Sequence, residues 1–200
     1  MTIHLKQIKY EVIFEPLEGQ IECGDQYFIK ELADCILIAV VDGLGHGAEA
    51  AFAAKKAIQT LDAHANESIE TLFKLCNEAL CLTRGAAMTI FKIDTRYKLT
   101  YMGIGNVMGA CWKINESGKL IHNLIVLDPG IVGSRLFPSM QVKEIAMSPG
   151  DTFILATDGI KIQFESEPPK VESPEKIAKH IFNTYRNKND DGLILVAQLL

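Results

Sequence analysis

Residues 39–51 read "AVVDGLGHGAEAA". An apolar run ends in Asp42, glycines follow at 43, 45 and 47, and an alanine-rich stretch begins at once. The seven residues 35–41, "CILIAVV", are continuously apolar, the pattern of a strand buried on both faces. Residues 48–63 read as a helix with Phe52, Ala53, Ala57, Ile58 and Leu61 on its apolar side. A carboxylate at the end of a buried strand is costly unless something compensates it. Few Lys or Arg residues lie nearby in sequence to do so.

Outward from this stretch, "KYEVIFEPL" (9–17) alternates with period two and "DQYFIKEL" (25–32) follows as a second strand. A second helix is expected at about 68–82, capped by "NES" at 66–68 and apolar at Ile69, Leu72, Phe73, Cys76 and Leu80. Beyond Gly85 come short strands: "AAMTIFKID", "KLTYMGIG", "VMGACWKI", "LIHNLIVL", "QVKEIAM" and "DTFILAT". Ser117-Gly118 and Pro149-Gly150 punctuate them as turns. "SPEKIAKHIFNTYRN" (173–187) is a late helix with Ser173 as cap and Pro174 in its first turn, and "LILVAQLL" closes as a strand. Strands, two helices, many strands, one helix and one strand do not make a doubly wound βαβ order. They predict antiparallel sheets covered by segregated helices, the α+β class, in a single domain over residues 1–200.

Composition excludes several functions. The chain is 48% hydrophobic and 22% charged with net charge −5, and its Lys and Arg are scattered, so no nucleic-acid surface is expected. No apolar run approaches the roughly 20 residues of a membrane span, and residues 1–14 lack a secretion-signal pattern. The five cysteines contain no C-x-x-C pair and most lie in apolar surroundings, which fits buried free thiols in a reducing cytoplasm.

Four acidic spots share a style. Asp25 lies in "ECGDQYF", Asp42 in "VVDGLGHG", Asp158 in "FILATDGI", and Asp190 with Asp191 in "NKNDDGLILV". Asp42 and Asp158 each end an apolar strand and each precede glycine. One such Asp-Gly is ordinarily a turn. The recurrence, with an acidic pair before the last strand, points to a hard divalent cation, Mn²⁺ or Mg²⁺, held by carboxylate, carbonyl and water oxygens. Two such ions about 4 Å apart activate water for attack on phosphorus. Gly43 would leave its carbonyl free to turn to the metal, and the start of the following helix would present amides to an anion. Gly43, Gly45 and Ala48, with Asp62, also satisfy a loose dinucleotide fingerprint. Asp42 would repel a pyrophosphate there, and the strand order supplies no βαβ frame. His46 is either a proton donor to the leaving oxygen or a solvent-facing loop residue. The other four histidines share no ligand-like spacing, and Met102, Met108 and Trp112 are expected to pack the core.

"VVDGLGHGAEA", "ATDGI" and the acidic pair resemble the SpoIIE-type branch of the metal-dependent type 2C serine/threonine phosphatases, as do "CGDQYF", "RGAAMTIFKI" (84–93) and "GIGNV" (103–107). The resemblance implies a four-layer αββα sandwich. It implies that Asp42 bridges two ions, that Gly43 binds one through its carbonyl, and that Asp158 and Asp190 are further ligands. Asp25 would lie at the edge of the site and Asp191 beside it, and Asp42 and Asp158 would carry the reaction. The substrates implied are phosphorylated STAS-domain (RsbS- and RsbR-like) stressosome proteins, and the role is a monomeric, cytoplasmic negative regulator of the general stress response. The chain departs from the pattern in three places. Phe28, Ile29 and Lys30 occupy the stretch where a second early Asp is often found, Gly192 stands where Thr or Ser usually follows the acidic pair, and no Arg precedes Arg84. Arg84 and Arg135 are the candidates for phosphate contact, against a plain solvated role. Gly192 and the missing early Arg leave open an inactive binding protein on the same fold, and, because partner choice lies in surface detail, a phosphatase of another partner-switching antagonist is a further alternative.

Overall fold

In the computed structural model, residues 3–4, 7–114, 120–134, 141–166 and 172–200 are described. The strands are β1 (Ile3–His4), β2 (Ile8–Glu15), β3 (Asp25–Glu31), β4 (Cys35–Gly43), β5 (Ala86–Asp94), β6 (Lys98–Ile104), β7 (Met108–Ile114), β8 (Leu120–Leu124), β9 (Lys143–Ala146), β10 (Thr152–Ala156) and β11 (Gly192–Leu199). The helices are α1 (Ala48–Ala63), α2 (Ile69–Leu80) and α3 (Pro174–Tyr185). One sheet runs β1-β2-β11-β10-β7-β8 and the other β3-β4-β5-β6-β9, every pair antiparallel.

The period-two rule sorts the side chains into three apolar layers. On β4, Ile36, Ile38 and Val40 face the other sheet, while Leu37, Ala39 and Val41 face α1 and α2. On β11, Leu193, Leu195, Ala197 and Leu199 face the space between the sheets, while Ile194 and Val196 face α3. Burial on both sides explains why β4 and β11 read as unbroken apolar runs. Phe91, Phe153 and Tyr101 anchor the middle layer, with ring centroids 5.4 and 5.8 Å from Phe91. α1 and α2 cover the five-stranded sheet and α3 covers the six-stranded one. The α+β, αββα expectation holds.

Helix ends follow local chemistry. Ser68 caps α2 by accepting from the Thr71 amide at 3.2 Å, and Pro174 opens α3. α1 buries mostly alanines: Ala50, Ala51, Ala53, Ala54 and Ala57, with Leu61. Phe52, expected on that apolar side, is instead 59% exposed. Helix phase turns Phe52 to the side opposite the buried Ala50, Ala54 and Leu61. At Gly43 an added Cβ would stand 2.1 Å from the Ala50 carbonyl oxygen. A helix seated this close to a strand leaves room at the point of contact only for small side chains, while Leu61 is buried further along the same face. The same contact gives Gly43 a packing reason beyond the carbonyl freedom expected of it. Of the cysteines, Cys23, Cys76 and Cys111 are buried, Cys35 is half-buried and Cys81 is exposed; all are free thiols. Ser117-Gly118 lies outside the described residues. No helix among those residues is long and apolar enough to cross a membrane.

Candidate active site

The acids collect at one edge of the gap between the sheets. Asp42 has the parity of Val40 on β4, and Asp25 has that of Tyr27 and Ile29 on β3, so both point between the sheets. Asp25 and Asp42 are direct cross-strand partners. Like charges placed opposite one another in an antiparallel pair destabilise it. From the facing sheet, Thr157 and Asp158 continue β10, and Asp190 and Asp191 lead into β11.

Each carboxylate has a distinct setting. Asp25 is 1% exposed and its Oδ2 accepts the Thr157 hydroxyl at 2.7 Å. That hydroxyl accepts from the Leu193 amide at 2.9 Å, so its proton is free for Asp25. Asp191 is 3% exposed, and its two oxygens accept the amides of Leu17 (2.8 Å) and Gly24 (2.9 Å). It is a structural tie for the segment leading to Asp25. Asp158 is exposed and accepts from Asn106 Nδ2 at 2.6 Å. Asp190 is half-buried and its Oδ1 accepts the Asp191 amide at 2.9 Å.

The electrostatics follow from this crowding. Asp42 is pushed up to about 9, first by burial and then by Asp25, Asp158, Asp190 and Asp191. Asp25 is pushed up to about 7, first by burial, against which the Thr157 hydroxyl works, and then by Asp191, Asp158 and Asp190. Asp158 is raised by burial and by Asp190, and the Asn106 amide opposes this. The charged forms of Asp25, Asp42 and Asp158 are thus disfavoured at one edge. Cys23 beside them is pushed up to about 12, by burial first and then by Asp25, so it is a neutral thiol, neither thiolate ligand nor nucleophile.

Among the described residues, no three His, Cys, Asp or Glu side chains converge as a ready-made metal cage. The acids at this edge offer oxygen donors only, which suit a hard cation and do not make a closed zinc site. Asp25, Asp42, Asp158 and Asp190 are the groups able to hold such an ion. His46 is exposed on the glycine loop. Arg84 is half exposed, lies over Gly45 and is ion-paired with Glu49 in the first turn of α1, the solvated role rather than a bare phosphate contact. Arg135 lies outside the described residues. His122 stacks on Trp112 with centroids 4.3 Å apart, a packing role.

Three site residues carried little signal in the sequence. Thr157 and Asn106 sit inside "ATDGI" and "GIGNV", whose conspicuous members are Asp and Gly. Arg186, past the end of α3, donates to the carbonyls of Gly159 and Asp190 beside these acids, and nothing local marks it.

Residues 33–199 match the family model described as Stage II sporulation protein E (SpoIIE). The chain belongs to the SpoIIE family. It is similar to the phosphoserine phosphatase RsbX of Bacillus subtilis (strain 168), 27% identical over 98% of this chain and 96% of that protein. A crystal structure of RsbX in complex with magnesium superposes with TM-score 0.88 at 26% identity, covering 100% of this chain and 99% of that one. A chain solved in the context of the bacterial stressosome gives TM-score 0.85 at 27% identity, covering 96% of this chain and all of that one. The SpoIIE-type resemblance of the motifs is thereby shown over nearly the whole chain.

Proposed function

We propose that this chain is a divalent-metal-dependent protein phosphatase that removes phosphate from phosphoserine or phosphothreonine of STAS-domain stressosome proteins and so damps the general stress response. Residues 1–200 form one catalytic unit, monomeric and cytoplasmic. The observation that carries the chemistry is the cross-strand pairing of Asp25 with Asp42, joined by Asp158 and Asp190 from the facing sheet. The RsbX likeness supports the substrate class.

The chain's own groups divide the work. Asp42 and Asp158 reach the site from opposite sheets, with Asp25, Asp190 and the Gly43 carbonyl as further oxygens for Mn²⁺ or Mg²⁺, two ions in all. When bound, such ions lower the pKa of water and offset charge on phosphoryl oxygens. Thr157 fixes Asp25, Asn106 fixes Asp158, and Asp191 fixes the entry to β3 through the Gly24 amide. No side-chain nucleophile is required, since the buried thiol of Cys23 is held neutral.

A protein substrate suits the rim. Beside the glycine loop a cleft of about 430 Å³ is lined by Ala48, Glu49, Phe52, Leu82, Thr83 and Arg84. Phe52 is 59% and Leu82 92% exposed, an apolar surface next to a charged site, as at protein contact patches.

The test is phosphate release from a phosphorylated STAS-domain protein with Mn²⁺ or Mg²⁺, with chelator, and with Asp42→Asn. Metal-dependent release lost in the variant is expected. Release from a generic phosphopeptide alone would keep the chemistry and discard the partner. No release from either, by folded protein with metal present, would make the chain a binding module.

A further inference from the structure

We propose that Arg186 is a positioning residue that holds the Asp158 and Asp190 loops at one spacing, and that Gly192 lacks a side chain in order to admit its guanidinium. This rests on the metal-site reading above. Arg186 follows α3, and its backbone bridges Ile160. Its Nη1 donates to the carbonyls of Gly159 (3.2 Å), Asn187 and Asp191 (3.4 Å). Its Nη2 donates to the carbonyls of Asp190 (2.6 Å) and Glu15 (3.4 Å). One fork therefore gathers the loop after β10, the loop before β11 and the end of β2. Phe182 lies beneath it, 5.6 Å from the guanidinium carbon to the ring centroid.

The geometry needs arginine. A planar group with several fixed donors can serve carbonyls from three segments, whereas an ammonium is a point charge with three donors. Gly192 has the outward parity of Ile194 and so faces α3. A Cβ there would stand 2.6 Å from both Cζ and Nη1 of Arg186. The Thr or Ser that usually follows the acidic pair in this family cannot coexist with the guanidinium as placed. Gly192 and Arg186 therefore form one unit, and the departure at 192 is the other half of the clamp rather than a lost function.

Two readouts on full-length protein decide it: amide hydrogen exchange of the metal-free form, and Mn²⁺ affinity by calorimetry. Arg186→Met is expected to speed exchange in segments 157–160 and 187–192 and to weaken Mn²⁺ binding about 10–100-fold, with Arg186→Lys between it and wild type. Gly192→Ser is expected to weaken Mn²⁺ binding with Arg186 present and to add nothing further in an Arg186→Ala background. Unchanged exchange in both segments overturns the clamp. Faster exchange with wild-type Mn²⁺ affinity overturns the positioning role, as do additive effects of the two substitutions. If Arg186→Met fails to fold, Arg186→Lys and the Gly192→Ser pair decide by the same criteria. A wild type that binds no Mn²⁺ overturns the phosphatase reading itself, and exchange alone then decides whether the clamp exists.

Discussion

The Thr157 hydroxyl donates to Asp25 Oδ2 at 2.7 Å and so joins the two sheets at the edge where the acids gather. Thr157 directly follows β10 of the six-stranded sheet, and Asp25 opens β3 of the five-stranded one. Thr157→Val keeps the shape but leaves a buried carboxylate and the Leu193 amide without their partner. A loss of about 2–3 kcal/mol is expected in urea unfolding, with Thr157→Ser close to wild type.

Metal-free protein should lose stability as pH rises. Asp25 and Asp42 have folded pKa values raised to about 7 and about 9. Below the ordinary carboxylate value of about 4 both states are protonated and nothing is gained. Above it the unfolded chain ionises first while the folded one still holds its protons. Stability therefore falls between about pH 4 and 9 and levels off beyond. Saturating Mg²⁺ should flatten this slope, and calorimetry at pH 7 in buffers of different ionisation enthalpy should show proton release on binding.

Asp42→Asn should separate function from stability. Metal-dependent phosphate release is expected to fall on the order of 10²–10³-fold. At pH 7 metal-free protein should gain about 2 kcal/mol, because folding no longer has to hold a proton on a buried carboxyl that is ionised in the unfolded chain. Steady-state rates and thermal melts in chelator check the two halves.

Asn106→Ala tests the side chain that donates to Asp158. Both groups are exposed, so stability should change by no more than about 0.5 kcal/mol. The metal concentration for half-maximal activity should rise about tenfold, as when an outer partner of a ligand is removed.

Gly43→Ala places a methyl 2.1 Å from the Ala50 carbonyl oxygen, against backbone that cannot swing aside. A loss of about 3 kcal/mol is expected, with α1 displaced from β4 and activity lost with it. Unfolding curves followed by circular dichroism measure the first, and phosphate release the second.

Much of this protein is written locally. The unbroken apolar run before Asp42 fixes β4 as a strand covered on both faces, and the alanines after Gly47 fix α1, bounds included. Ser68 and Pro174 mark where α2 and α3 begin. Asp42 and Asp158 stand out because a charge ending an apolar strand is a local anomaly. Phe52 shows the limit: hydrophobicity groups it with the apolar residues of α1, yet the helix phase fixed by docking Ala50, Ala54 and Leu61 turns it outward.

What the sequence by itself determined is the set of elements, their buried faces and the acids at their ends, because periodicity and propensity act over a few residues. What only the tertiary structure decided is adjacency. Asp25 faces Asp42 across a strand pair, Thr157 reaches Asp25 from 132 residues away, and Asp191 gives both oxygens to amides near the start of the chain. Arg186 lies against Gly192 and ties three segments together. Such contacts depend on strand order, sheet pairing and the depth at which a helix seats. Those follow from packing the whole core at once, and no window of neighbouring residues contains them.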